Sequence, residues 1–225
     1  MRRRLGTEDN MLLVDNEIKI PSKVNPNLKL RVLKGHFATV HSHINCYIDM
    51  TMLKYRQSEA AEVARAMASD YQYNKPIDTI VVTDGCEVIG AYLSEELRKN
   101  GVMSLNTHDS LYVVTPEIGA GGQMIFRDNI QPMIRNKNIL LLLASATTGR
   151  TIARGIECIQ YYGGIVQGVS AIFSASGEIF GHEVHHIFDA SDIDDYETYS
   201  QENCPYCQKG QKIDAMVNSF GYSEL

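Results

Sequence analysis

Residues 138–164 read NILLLLASATTGRTIARGIECIQYYGG, an apolar run that breaks into a turn of small and hydroxyl-bearing residues and resumes at helical spacing. From Ile139 to Leu143 every side chain is apolar, the pattern of a strand buried on both faces of a parallel sheet. Downstream, Ile152, Ile156 and Ile159 recur on one side, and Gly163 with Gly164 marks the stop. Thr147, Thr148, Gly149, Arg150 and Thr151 occupy the turn between strand and helix. The first N–H groups of a helix are unpaired and carry roughly +0.5 charge from the macrodipole. Threonine hydroxyls add donors and Gly149 permits close backbone approach, so a phosphate monoester suits this turn. The same residues also suit an N-capping turn with nothing bound. Arg150 either pairs with such a phosphate or is solvated. The glycine–lysine pair of a P-loop and the spaced glycines of a dinucleotide fold are absent.

Working outward, SEAAEVARAMASDY predicts a helix with Ser58 as N-cap and Ala61, Ala64 and Ala68 on one face. Ile77 to Val82 predicts a strand, followed by a turn at Thr83-Asp84-Gly85 and a helix closing at Gly101. MSLNTHDSLYVVT reads as one or two strands, PEIGAGGQ as a glycine-rich loop, and IVQGVSAIFSAS and EVHHIFDA as further strands. Alternating strands and helices with short connections predict an α/β fold with a doubly wound parallel sheet. In such sheets ligands sit at the carboxyl ends of the strands, so TDGCEVIGA and ASATTGRT should open onto one crevice.

The totals bound the function. At 225 residues, 44% hydrophobic and 21% charged, the chain suits one sizeable globular domain. A net charge of −6 argues against a general nucleic-acid binder, which needs excess Lys and Arg. No apolar run approaches the roughly 20 residues of a membrane helix. The opening MRRRLGTEDN lacks the apolar core of a secretory signal and is set aside from the fold, with Met11 as an alternative start. Five cysteines, an odd number, fit a reducing cytoplasm better than a disulfide framework.

The turn and its strand resemble the signature of the type I phosphoribosyltransferases: an apolar strand, two acids, two small or apolar residues, then Thr-Thr-Gly-x-Thr and a helix. Upstream, LKGHFATVHSHINCYIDMTMLK is similar to the N-terminal segment of orotate phosphoribosyltransferases, with Gly35, His36, Phe37, Tyr47 and Asp49 matching. A Ser-Gly pair of that pattern is missing and the spacing is one residue short. TIVVTDGCEVIGAYLSEEL resembles the diphosphate-side loop and helix, and NCPYCQKGQKID resembles a Cys-Pro-x-Cys-x-x-Gly ending of some relatives. The resemblance implies a parallel sheet flanked by helices with a small N-terminal hood. It divides the chain into a lead-in over 1–32, a phosphoribosyltransferase-like domain over 33–203 including the hood, and a tail over 204–225. A homodimer, a nucleotide or phosphoribosyl ligand and a place in pyrimidine metabolism are implied with it. By resemblance, Asp84 and Gly85 stand at the diphosphate-side loop and Phe37 stacks the base; read from the residues alone, Phe37 is equally a core phenylalanine.

Two departures stand against transfer chemistry. The positions of the two acids, which the resemblance places against the ribose hydroxyls and the developing sugar cation, hold Leu143 and Ala144. Each lost charge-assisted hydrogen bond costs about 1.5–3 kcal/mol, or tenfold or more in rate if expressed in the transition state. The loop that resembles the family's diphosphate-closing loop, VVTPEIGAGGQMIF, contains no Lys, Arg or His and adds Glu117, with Arg127 and His108 near its ends. Both electrostatic halves of the mechanism are thereby weakened. These readings favour a ligand-binding pseudoenzyme with little transferase activity. The alternative is a divergent, active transferase using phosphoribosyl diphosphate and magnesium, with Asp84 or Glu87 supplying the acid; Asp84 otherwise reads as a turn residue capping the next helix.

Near the end, Cys204 and Cys207 have the spacing of half a zinc site. His182, His185 and His186, or a second subunit's cysteine pair, would complete it; the other reading is a reduced, packed turn. His185 and His186 are adjacent on a predicted strand and point to opposite faces. Cys46, Cys86 and Cys158 read as small buried hydrophobes, and His36, His41 and His43 as surface or hydrogen-bonded residues.

Overall fold

Apolar β-branched runs and amphipathic helices alternate through the middle of the chain, and they assemble as that alternation requires. The structure, a computed structural model, describes residues 17–40, 42–71, 75–99, 110–119, 121–147, 149–218 and 220–225. The opening decapeptide, Met11, His41, Gly101, His108 and Thr148 lie outside the described residues. In chain order the elements are β1 (Glu17–Pro21), β2 (Lys29–Ala38), β3 (His43–Asp49), α1 (Thr51–Tyr55), α2 (Gln57–Ala68), β4 (Thr79–Val82), α3 (Glu87–Arg98), β5 (Tyr112–Val114), β6 (Glu117–Ile118), β7 (Met124–Ile125) and β8 (Asn138–Ala146). After these come α4 (Arg150–Tyr161), β9 (Ile165–Ser174), β10 (Glu178–Ile179), β11 (His182–Asp189), β12 (Thr198–Tyr199), α5 (Pro205–Gln208), β13 (Ala215–Asn218) and β14 (Gly221–Glu224).

Two compact units interleave along the sequence. The larger, Pro21–Leu30 with Met50–Asp194, carries a sheet in the order β10-β11-β9-β8-β4-β5. The five strands from β11 to β5 are parallel, and β10 is an antiparallel edge strand. β8 lies at the centre, and Ile139 through Ala144 are all buried, as the unbroken apolar run predicts. Alternate residues of β8 face opposite helices. Leu141 meets α4, where Gly155 is so close that an added Cβ would lie 2.8 Å from the leucine Cδ2. Leu142 and Val82 meet α3 at Gly90 on the other face. Helices thus cover both faces of a parallel sheet, the α/β arrangement that the resemblance implies.

The isoleucines of α4 do what their spacing predicts: Ile152, Ile156 and Ile159 are buried in one cluster with Leu141, Leu143, Val169 and Val184. The helix ends at Gly163, whose φ of 80° is the left-handed stop expected there. The N-cap expected at Ser58 is not formed. The chain has already turned through α1, so α2 starts at Gln57 with Arg56 in the cap position and no side-chain cap bond. Ser58 instead donates to its neighbour Glu59.

The second unit comprises 17–20, Arg31–Asp49 and Asp195–Leu225, and its sheet runs β12-β3-β2-β13-β14 with β1 also paired to β2. Its core is a small cluster of Leu33, Phe37, Tyr47, Ala215 and Val217. Among the described residues no helix is long and apolar enough to cross a membrane.

Candidate functional site

Gly149 takes the N-cap position of α4 at φ 72°, and no side chain caps the helix. Its first-turn N–H groups are therefore not occupied by a capping side chain, the condition under which a helix start favours an anion. A glycine is required there twice over: the left-handed backbone disfavours any Cβ, and one would lie 2.5 Å from Ile179 Cγ2. Thr147 and Arg150 are exposed and Thr151 is partly buried.

Just before this turn, Leu143 is fully buried and Ala144 is 2% exposed. Leu143 belongs to the cluster under α4. It is a packing residue.

The neighbouring turn, at the end of β4, meets the end of β8. The Asp84 carboxylate accepts a hydrogen bond from the Ala144 N–H. The helix-capping reading of Asp84 is therefore corrected: the N-cap of α3 is Cys86, without a side-chain cap bond. Asp84 sits at φ 57° and Gly85 at φ 76°, so the chain reverses through two left-handed residues. Lys54, almost fully buried, donates from Nζ to the Asp84 carbonyl at 3.0 Å. Burial pushes the Asp84 carboxyl above the ordinary carboxylate range, against the pull of the Lys54 ammonium and the Ala144 N–H, with Glu87 adding to the rise. The two loops that the sequence aims at one crevice do lie side by side on adjacent parallel strands.

The glycine-rich loop is a short hairpin of β6 and β7. Arg127 Nε and Nη2 donate to Glu117 Oε2 and Oε1, both at 2.7 Å, in an exposed bidentate pair. The loop's nearby cation is thus answered by the acid that the loop itself contributes.

No family model matches the chain. A curated orotate phosphoribosyltransferase from Desulforamulus reducens is 26% identical over 185 residues, covering 80% of this chain and 86% of that protein. The solved orotate phosphoribosyltransferase of Aeropyrum pernix superposes with a TM-score of 0.51 at 21% identity, over 71% of this chain and 88% of the other. The Mycobacterium tuberculosis orotate phosphoribosyltransferase gives 0.50 at 15% identity, over 73% and 93%. The chain shares the fold of these phosphoribosyltransferases and is similar in sequence to the curated one.

Phe37 is fully buried and packed on Tyr47, with ring centroids 6.1 Å apart, inside the small cluster of its own unit. Of its two readings, the core phenylalanine is the one the structure displays. The cysteine pair finds other histidines than those adjacent to it in the sequence. Cys204 and Cys207 meet His36 and His43, and their four ligand atoms lie within 4.8 Å of one another. His182, His185 and His186 belong to β11 in the larger unit, where His185 lies 3.7 Å from Asp70 and His186 bonds the Val184 carbonyl. His36 and His43 are thus buried, grouped side chains rather than surface ones. The sequence carried one usable signal: two histidines flanking a tight hairpin, whose partners lie 164 and 168 residues away.

Proposed function

We propose that this chain binds a nucleotide or phosphoribosyl ligand through the β8–α4 turn and catalyses little or no transfer. Thr147, Thr148, Gly149, Arg150 and Thr151 form the anion seat, and the protein works as a homodimer in pyrimidine metabolism. The observation that carries the reading is the end of β8, where Leu143 and Ala144 are buried apolar residues at the positions of the family's two acids. An alkyl side chain neither accepts a ribose hydroxyl nor stabilises a cationic sugar. The Glu117–Arg127 pair points the same way, because a guanidinium engaged by a carboxylate offers less to a diphosphate. Magnesium, the family's ion, needs carboxylate oxygens beside the substrate's phosphates. Leu143 and Ala144 offer none, so the strand end does not fit it.

The test is a pair of measurements on the purified chain. UMP, phosphoribosyl diphosphate and inorganic phosphate are each titrated while the melting temperature is followed; binding at 100 times Kd adds about 2.7 kcal/mol to stability. In parallel, orotate absorbance is followed with phosphoribosyl diphosphate and magnesium. A thermal shift without turnover is the expected result. Rapid conversion of orotate overturns the proposal, as does the absence of a shift with every ligand.

A second reading is favoured by one contact: the Asp84 carboxylate bonded to the Ala144 N–H stands beside the strand end that lost its acids. On that reading the chain is a divergent transferase whose acid has moved from β8 to the β4 turn. Asp84→Asn would then abolish a measurable turnover, whereas on the first reading there is none to lose.

A further inference from the structure

We infer that His36, His43, Cys204 and Cys207 bind a zinc ion that clasps the C-terminal segment onto the β2–β3 hairpin. The inference is independent of what the β8–α4 turn binds. His36 Nε2 lies 3.0 Å from His43 Nδ1, 3.4 Å from Cys204 Sγ and 3.7 Å from Cys207 Sγ. Cys207 Sγ lies 3.3 Å from His43 Nδ1. A neutral imidazole nitrogen has one in-plane lone pair and cannot serve three such neighbours as separate hydrogen bonds. Four ligand atoms converging on one point are instead what a single ion requires. From ordinary zinc–ligand distances, a tetrahedral site has edges of about 3.3 Å between nitrogens, about 3.6 Å between nitrogen and sulfur and about 3.8 Å between sulfurs. The nitrogen–nitrogen separation of 3.0 Å and the nitrogen–sulfur separations of 3.3, 3.4 and 3.7 Å scatter around the first two values, and all four atoms lie within 4.8 Å of one another.

The surroundings select the same chemistry. His36 Nδ1 lies 3.0 Å from the Lys212 carbonyl and 3.2 Å from the Gln211 carbonyl, so this nitrogen carries the proton and donates outward. Its Nε2 lone pair is thereby turned into the cluster, the arrangement by which a backbone carbonyl orients a metal-bound histidine. The Tyr206 ring stacks on the His36 ring at 5.2 Å. His36, His43 and Cys204 are buried, while Cys207 is exposed and gives the ion an entry path. Two thiolates and two imidazoles form a borderline-soft donor set without a carboxylate, suited to zinc rather than to magnesium or calcium. Binding displaces the two thiol protons to solvent, and two thiolates balance the dication.

The fold explains how distant residues meet. Phe37 pairs with Ile44 and Ala38 with His43, and the register shift between Lys34 and Phe37 falls at His36, whose Nε2 reaches His43 Nδ1. Pro205 starts the single turn α5, whose N-cap is Cys204, and this turn brings both sulfurs to one side. Beyond it, Asp214 Oδ2 accepts from the His36 N–H at 2.7 Å, and β13 then pairs in parallel with β2. The ion would therefore hold the start of β13 in register.

The experiment uses the full chain purified under reducing conditions without added chelator. Elemental analysis is expected to find one zinc per chain. Replacement by cobalt is expected to produce the intense visible bands of a tetrahedral ion and a thiolate-to-cobalt charge-transfer band. Cys207→Ser and His43→Asn are each expected to lower zinc retention at least tenfold, and a chelator to lower the melting temperature of the wild-type chain. If either variant fails to fold, the cobalt spectrum of the wild-type chain still decides. A folded wild-type chain with reduced cysteines that retains neither metal overturns the inference. So does zinc content unchanged in folded Cys207→Ser, or a Cys204–Cys207 disulfide in the freshly purified chain.

Discussion

Leu143→Asp puts into β8 the residue type that the family resemblance implies there, and the structure predicts that it fails. Leu143 is fully buried under α4. Losing the leucine's packing costs about 3 kcal/mol, the lower end of large-to-small core replacements. The new carboxylate has no cation beside it in that apolar cluster, so it stays protonated. Holding a group with an ordinary pKa near 4 in its neutral form at pH 7 costs about 4 kcal/mol, at roughly 1.4 kcal/mol per unit. The sum, about 7 kcal/mol, is a large part of the 5–15 kcal/mol that typically holds a domain together. The charge-dependent part has a definite sign. A carboxyl whose folded pKa is raised destabilises more as pH rises above its unfolded value, and the loss is recovered as pH falls. The neutral isostere Leu143→Asn separates the contributions, since it shares the shape and cannot titrate. Urea denaturation should place Leu143→Asp about 4 kcal/mol below Leu143→Asn at pH 7, and about 1.5 kcal/mol below it near pH 5. Equal stability of the two variants at both pH values would refute the reasoning. So would orotate turnover by a folded Leu143→Asp chain, which would mean that the strand end accepts an acid facing ligand.

Gly149→Ala forces a Cβ into a left-handed cap 2.5 Å from Ile179. About 1–2 kcal/mol of backbone strain and about 1–3 kcal/mol of overpacking should lower the melting temperature and abolish ligand-induced stabilisation, both read in one thermal titration. Asp84→Asn removes a charge that burial disfavours, and the amide oxygen can still accept from the Ala144 N–H. Because the folded pKa is raised, the variant should be more stable than wild type above the unfolded carboxylate pKa and equal to it below, as denaturation at pH 8 and pH 3.5 would reveal. Glu117→Gln releases the exposed Arg127, so the melting temperature should stay unchanged while pyrophosphate binds more tightly by calorimetry. A weaker or identical affinity would show that Arg127 cannot reach the ligand.

Much of the larger unit is legible without coordinates because its signals are local. The run from Ile139 to Ala144 has no polar residue to turn outward, which places β8 at the sheet centre. The isoleucine spacing of α4 and its glycine stop likewise depend only on residues within a few turns. The missed cap at Ser58 shows the limit of such signals: a preceding helical turn left its side chain nothing to cap. Asp84 is a similar case. Its turn is readable from Asp-Gly, yet its carboxylate bonds Ala144, 60 residues on, because β4 and β8 are neighbours in the sheet.

The sequence alone determined the strand and helix on either side of the threonine-rich turn, the apolar residues at Leu143 and Ala144, and the resemblance to phosphoribosyltransferases, since periodicity, turn chemistry and side-chain type are properties of nearby residues. Only the tertiary structure decided that Phe37 packs into a core, that Asp84 reaches the end of β8, and that Cys204 and Cys207 meet His36 and His43. Those outcomes depend on strand register and on where the returning chain pairs. A shift of one residue in the β2–β3 pairing would turn His43 to the other face and separate the four ligands, while leaving the composition and local patterns unchanged.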